Sequence, residues 1–214
     1  MNLSFENIYT NYNKLDLAQH INLVQDVSSN EFLKKGDNIH TLDGYIFFIS
    51  KGSVSFSLHG EENIIENCID KFPIGLIERY CPFIKFDYVC NSDTTLNKIT
   101  YEDFDDIFYK TSENRAIQLS QMLVYLFMFA IDIYHERRHY SGYHVIKTML
   151  NRNIYSQQLP TFEREGIVAF ISKRTLLSRS YIYKVISELK KGGYITIEKG
   201  KLVSINKKLP SKFS

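Results

Sequence analysis

Five residues past the middle of the chain, His135-Glu136-Arg137-Arg138-His139, carry its most explicit chemical signature. In H-E-x-x-H, two imidazoles one helical turn apart hold zinc and the carboxylate acts as base. Tyr140-Ser141-Gly142 continues toward the longer three-histidine form of that motif. The form sets its third His three residues past the glycine, whereas His144 stands two past it. Two arginines inside the motif would also put positive charge beside a dication. The segment therefore reads as a polar helix end, with no catalytic residue and no metal ligand assigned. A zinc-dependent hydrolase, or metal sensing by His135, His139 and His144, stays as the alternative. The three cysteines, Cys68, Cys81 and Cys90, are odd in number and lack CxxC spacing. They make neither a disulfide scaffold nor a zinc site of their own. Cys90 alternates with Phe86 and Tyr88 as a structural thiol would. Cys81, beside Arg79 and Pro82, has a setting that could lower its pKa and suit redox sensing. No cofactor is expected.

A second chemistry lies further along. Residues 1–141 carry 12 Lys and Arg against 20 Asp and Glu, a balance of −8, while residues 142–214 carry 14 against 4, a balance of +10. Asymmetry of this size points the tail toward a polyanion. Within it, Tyr143, Ile146, Met149 and Leu150 mark one helix and Ile167, Phe170 and Ile171 a second. After the turn Leu176-Leu177-Ser178, a third helix over Arg179–Lys191 buries Ile182, Val185, Ile186 and Leu189 at i, i+3, i+4, i+7. Ser178 is its expected N-cap and Gly192-Gly193 its stop. Tyr194–Ile197 and Leu202–Ile205, joined at Lys199-Gly200, read as a hairpin. Helix, tight turn, helix, then basic hairpin is the winged form of helix-turn-helix, whose second helix enters the major groove. The outward positions Arg179, Ser180, Tyr181, Lys184 and Ser187 are the expected base and phosphate contacts, with Ser178 at the helix start. Lys199 and Lys201 at the hairpin tip suit flanking phosphates. Specificity is expected of Arg179, Tyr181 and Lys184.

The element that must position this domain is the stretch Ser112–Tyr140, free of Pro and Gly. Its apolar run, Met122–Ile131, is ten residues, short of the roughly 20 a bilayer requires. Ala116, Leu119, Leu123, Leu126, Ala130 and Ile133 form one seam, and Ile117, Val124, Phe127, Ile131 and Tyr134 a second. A helix apolar on two faces must be covered on both, one by its own domain and one by a partner. The first seam is the expected dimerisation surface. Ahead of it, short alternating segments such as Val54–Leu58 and Ile84–Cys90, punctuated by turns every 8 to 12 residues, argue a small β-sandwich or jelly roll. The nearly all-apolar Tyr45–Ile49 is one of its strands. The expected division is a β domain over 1–110, the dimerisation helix over 111–141 and the winged helix over 142–214. The first residues lack the basic and apolar regions of a signal peptide, so a cytoplasmic protein is expected.

This order of parts resembles the Crp/Fnr transcription regulators. Leu177-Ser178-Arg179-Ser180-Tyr181-Ile182-Tyr183-Lys184-Val185-Ile186 is similar to the family's Ser-Arg-(x)n-Val-x-Arg recognition segment. Phe32-(x)3-Gly36-Asp37 and Ile46-(x)5-Gly52-Ser53-Val54 resemble its first strands and turns. The closest likeness is to divergent enterobacterial members, the IprA-like regulators. The resemblance implies an α+β fold: an N-terminal jelly roll of the cyclic-nucleotide-binding type, a long dimerisation helix and a C-terminal winged helix-turn-helix. It also implies a homodimer on double-stranded DNA, contact with RNA polymerase, a part in stress response, no membrane and no enzymatic activity. The family's cyclic-nucleotide cassette, Gly-Glu followed by Arg-(Ser/Thr)-Ala, is not matched by Phe72-Pro73-Ile74-Gly75-Leu76-Ile77-Glu78-Arg79-Tyr80. A cyclic phosphate would miss its charge-assisted cradle, and the roughly four thiolates of an iron–sulfur cluster are missing too. Control by cyclic AMP is not expected, and the effector is unknown. A protein-interaction dimer whose winged helix contacts protein is the other alternative.

Overall fold

The computed structural model describes residues 5–15, 17–41, 44–69, 71–110, 113–139, 141–157 and 165–212. The chain divides into two compact units, one of Asn7–Met128 and one of Phe129–Ser214 with the start of the chain. The division falls inside the long helix, where sequence reading placed boundaries at its two ends.

The first unit contains most of helix α1 (Phe5–Tyr12), then α2 (Ala18–Val27), β1 (Ser29–Leu33), β2 (Asn38–Ile39), β3 (Tyr45–Lys51), β4 (Val54–Leu58) and β5 (Glu66–Asn67). Next come α3 (Leu76–Tyr80), β6 (Phe86–Cys90), β7 (Thr94–Thr100), α4 (Tyr101–Asp105), a π-helical turn (Asp106–Lys110) and the first part of α5 (Glu113–His139). The strands form two antiparallel sheets, β1-β7-β3 and β2-β6-β4-β5. This is the expected β-sandwich, although β6 begins at Phe86 rather than Ile84. The turn at Leu42-Asp43 lies outside the described residues.

β3 explains its own composition. Phe47 and Ile49 pack between the sheets with Val54, Tyr88, Cys90 and Leu96. Ile46 and Phe48 face the other way, onto Val24, Ile99, Phe104, Phe108 and Leu119. A strand buried on both faces cannot alternate and reads as a continuous apolar run. Gly52 makes the next turn possible. Its φ is +98°, and a Cβ there would stand 2.5 Å from Thr94 Oγ1 and 2.7 Å from the Asp93 carbonyl oxygen. β7 passes into α4 through a capping box. Thr100 Oγ1 accepts from the Asp103 N–H at 3.0 Å, and an Asp103 carboxylate oxygen accepts from the Thr100 N–H at 3.3 Å.

In the second unit, α5 is followed by α6 (Gly142–Ser156), α7 (Ile167–Arg174), α8 (Arg179–Lys191) and the hairpin β8 (Ile195–Glu198) and β9 (Lys201–Ile205). One core joins them. Ile182, Val185, Ile186 and Leu189 of α8 meet Tyr143, Ile146, Met149 and Leu150 of α6, Ile167, Phe170 and Ile171 of α7, and Ile195 and Leu202 of the hairpin. Where α5 enters this unit, buried Asp132 accepts from Arg152 Nη2 of α6 at 2.6 Å. The Arg152 guanidinium lies 4.6 Å over the Phe5 ring, which also meets the rings of Phe129 and Tyr155. The segment Asn114–His135 of α5 is long and apolar enough to cross a membrane by length and composition alone. Here it buries Leu119, Met122, Phe129 and Asp132 inside the protein.

Candidate nucleic-acid interface

α8 is held at both ends by its own sequence. The Ser178 Oγ accepts from the Tyr181 N–H at 3.3 Å, an N-cap that fixes where the helix begins. At its C-terminus Gly193 takes φ +65°, and the Tyr194 N–H returns to the Leu189 carbonyl oxygen at 2.9 Å, so the chain turns sharply into β8. The helix thus offers one face to the core and one to solvent. Ser178, Arg179, Ser180, Lys184 and Ser187 are all exposed, as their spacing suggests.

Tyr181 departs from the expected outward set. It is half-buried and packs on the core of the winged unit with Leu177. A Cβ added to Gly142 would stand 2.7 Å from Tyr181 Cε1 and 3.1 Å from Leu177 Cδ2. The missing side chain at the start of α6 is what lets the ring in. Tyr183, which sequence reading passed over, is exposed instead. The inward set 182, 185, 186, 189 signalled this, because 183 lies about 110° round the helix from its centre, on the flank it shares with 180 and 187.

The hairpin tip is a two-residue turn in which Lys199 (φ +48°) and Gly200 (φ +78°) are both left-handed, as a type I′ turn requires. The Gly200 carbonyl oxygen accepts from the Ile167 N–H at 2.8 Å, tying the tip to the start of α7. Asn206 anchors the other end. Its amide reaches Thr196 Oγ1 at 3.0 Å and its carbonyl oxygen accepts from Ser204 Oγ at 2.7 Å. Lys199 and Lys201 are therefore carried on a fixed support, both exposed.

Some cations of this unit are paired and others are not. Arg174 Nη1 pairs with Glu165 at 2.9 Å and Lys173 with the same carboxylate at 3.1 Å, while Lys191 pairs with Glu188 at 3.1 Å. Arg179, Lys184, Lys199 and Lys201 form no ion pair with a described residue. Lys207 lies 4.2 Å over the Tyr194 ring.

On the two seams of α5, Leu119 is fully buried in the core of its own unit, Leu126 packs partly against Tyr12, Phe72 and Met122, and Ala116 and Ile133 are half-buried. Only Leu123 and Ala130 of that seam are exposed. The open apolar row is the second one. Ile117, Val124, Phe127 and Tyr134 are exposed, Phe127 at 64%, with Ile131 half-buried between them. The domain buries Leu119 of the seam expected for the partner and leaves the second row the more exposed of the two, because the β-domain side chains meet the helix through Leu119 and Met122.

Elsewhere the expected chemistry is spent or enclosed. Arg79 makes a bidentate pair with Asp105, both contacts at 2.7 Å, and stacks 4.4 Å over Tyr101. No guanidinium is left there for a cyclic phosphate. Cys90 is buried, as its alternation suggests, and Cys68 is enclosed with its thiol pushed well above the usual range by burial. They stand on β6 and just past β5, on either side of β4, two strand spacings or about 9.6 Å apart. A disulfide needs the Cα atoms within about 7 Å. Cys81 carries a half-buried free thiol at the C-cap of α3, where its backbone N–H donates to the Ile77 carbonyl oxygen at 2.7 Å. His135 is exposed and His144 half-buried, with burial and then Lys147 and His135 lowering the His144 pKa. The side chains of Glu136 and His139 lie outside the described residues. Among the described residues, no group of three His, Cys, Asp or Glu could hold a metal.

Comparison with known proteins agrees with this geometry. Residues 142–211 match the family of winged helix-turn-helix DNA-binding domains. The chain is similar to the inhibitor of hydrogen peroxide resistance of Escherichia coli strain K12, 40% identical over 75 residues, which is 35% of each protein. The Salmonella typhimurium protein of the same name is 37% identical over 78 residues, 31% of this chain and 37% of that protein. The chain thus spans about a third of the length of the curated relatives it matches. Among solved structures, the c-di-GMP responsive global regulator CLP of Xanthomonas campestris superimposes with a TM-score of 0.64 at 12% identity, over 89% of this chain and 100% of that one. FixK2 of Bradyrhizobium japonicum gives 0.65 at 15% identity, over 84% and 93%. A transcriptional regulator of the Crp/Fnr family from Eubacterium rectale gives 0.63 at 18% identity, over 92% and 95%. The chain therefore has the Crp/Fnr fold, with a winged helix-turn-helix DNA-binding domain at residues 142–211.

Proposed function

We propose that the protein is a cytoplasmic, homodimeric regulator that binds specific double-stranded DNA sites, acts on transcription through RNA polymerase, and is not an enzyme. The observation that carries this reading is the segregation of charge in the winged unit. Glu165 and Glu188 neutralise Lys173, Arg174 and Lys191, whereas Arg179 and Lys184 on α8 and Lys199 and Lys201 on the hairpin face solvent unpaired. Cations held on a rigid support and kept from internal carboxylates suit phosphates and guanine edges. The apolar row Ile117, Val124, Phe127, Ile131 and Tyr134 follows a heptad spacing and suits a second copy of α5. Two copies would then present two recognition helices to half-sites about one helical turn apart. With Arg79 engaged by Asp105, the reading includes no control by cyclic AMP.

Binding to genomic DNA fragments across a salt series, wild type beside Arg179→Ala, tests this. The affinity of the wild type should fall steeply with salt, with a log–log slope of roughly −0.9 per phosphate neutralised. Arg179→Ala should weaken the preferred sites by about 1–3 kcal/mol and relax the sequence preference at one position per half-site. A folded dimer that retains no DNA at any salt concentration would overturn the reading.

A further inference from the structure

Two exposed apolar groups accompany the cations, the ring of Tyr183 and the side chain of Leu176, and phosphate binding accounts for neither. Tyr183 is 61% exposed and Leu176, in the turn leading into α8, is 92% exposed. Tyr183 lies three residues past Ser180, one before Lys184 and four before Ser187, so it shares their outward face of the helix. The core has no use for it, since Ile182, Val185, Ile186 and Leu189 complete the inward face. Leu176 is equally uncommitted. The turn around it is held by Thr175, whose hydroxyl donates to the Ile171 carbonyl oxygen at 2.9 Å and accepts from the Leu177 N–H at 3.4 Å. Leu177 packs against the core, and Leu176 projects into solvent beside the N-cap.

Resting on the DNA-binding reading, we propose that Tyr183 and Leu176 are specificity-determining residues that recognise thymine methyl groups in the major groove. The physical reason is the company they keep. Arg179 and Lys184 surround Tyr183 with unpaired positive charge, so its partner is a polyanion, yet an aromatic ring gains little from phosphate. The major-groove edge of duplex DNA offers one apolar group, the C5-methyl of thymine. A ring carried between Ser180 and Ser187 on the groove-facing side of α8 packs its edge against such a methyl, while the neighbouring hydroxyls bond phosphate or base acceptors. Leu176, two residues before the N-cap, extends the apolar contact to a second thymine at the end of the helix that enters the groove. The ring rather than the phenolic oxygen does the reading.

The experiment selects binding sites from random-sequence duplexes with wild type, Tyr183→Ala, Tyr183→Phe and Leu176→Ala. The wild-type site is then remade with deoxyuridine in place of each thymine in turn, removing one methyl at a time. Wild type should lose about fourfold in affinity at the contacted thymines, the effect of one buried methyl group. Tyr183→Phe should show the same loss. Tyr183→Ala should bind the thymine and deoxyuridine forms equally at one position, and Leu176→Ala at another, with the salt dependence of binding unchanged. If both alanine variants select the wild-type site and keep every thymine preference, while Arg179→Ala does not, the inference is overturned and the DNA-binding reading stands. If wild type enriches no sequence at all, both are overturned.

Discussion

Glu78 and Arg79 stand side by side in α3, yet the fold treats them oppositely. Arg79 is clamped by Asp105 and roofed by Tyr101, its charge fully matched. The two carboxylate oxygens of Glu78 are sealed from solvent beside Tyr88 and Cys68 without a well-formed hydrogen bond to a described residue. Burial pushes the Glu78 carboxyl above its ordinary value of 4.5. A carboxyl whose folded pKa is raised holds its proton longer in the folded state than in the unfolded one. Below about 4.5 it is neutral in both states and costs nothing extra. As pH rises through the ordinary value toward the folded one, the unfolded state ionises first and stability falls. Glu78→Gln removes this dependence. Urea denaturation should therefore show the variant gaining on wild type as pH rises from 4.5 to neutrality, by about 1 kcal/mol, the low end of the cost of an unsatisfied buried acceptor. A difference that stays constant with pH would show that the carboxyl is satisfied in solution.

Between α5 and α6, Asp132 and Arg152 form a contact with no local signature, because the partners are 20 residues apart. Their side chains are 6% and 3% exposed, so the pair is shut away from water. Asp132→Ala would take a buried carboxylate from the guanidinium under the Phe5 ring and should cost about 3–5 kcal/mol in chemical denaturation. Asp132→Leu combined with Arg152→Met should recover most of that loss, since the pair is removed together. Recovery would mark the pair as a positioning device for the entry of α5 into the winged unit, not as a net source of stability. From the sequence, Asp132 was visible only as the polar end of an apolar run. By contrast α8 was legible almost residue by residue, because Ser178, the 182-185-186-189 spacing and Gly192-Gly193 are all local signals. Tyr181 was not, since its inward turn depends on Gly142, far away in sequence. The β-sandwich was legible as short strands and turns, but the burial of β3 on both faces follows from helices that only the tertiary fold brings to it.

At the scale of the whole molecule the long helix decides what the DNA-binding domain can do. Both of its seams are apolar at helical spacing, so the sequence pattern alone does not say which one meets a partner. The fold buries Leu119 and leaves Ile117, Val124, Phe127 and Tyr134 exposed, which favours the second seam. An exposed apolar row with heptad spacing is the kind of surface that a second such row covers. Phe127 is the test position, because it is 64% exposed and its replacement leaves the core of its own unit untouched. In a dimer, Phe127→Glu would set two carboxylates against each other in a dry seam. On the proposed dimer, light scattering should then report a folded monomer for the variant and a dimer for wild type. DNA binding should separate into two effects. Affinity for a single half-site should be unchanged, because α8 and the hairpin are intact, while affinity for the full two-half-site operator should fall about 100-fold or more with the loss of linked binding. A Phe127→Glu protein that remains dimeric would move the interface to the Leu123 and Ala130 side of the helix. A monomer that still holds the full operator at wild-type affinity would mean that one winged helix supplies all the recognition.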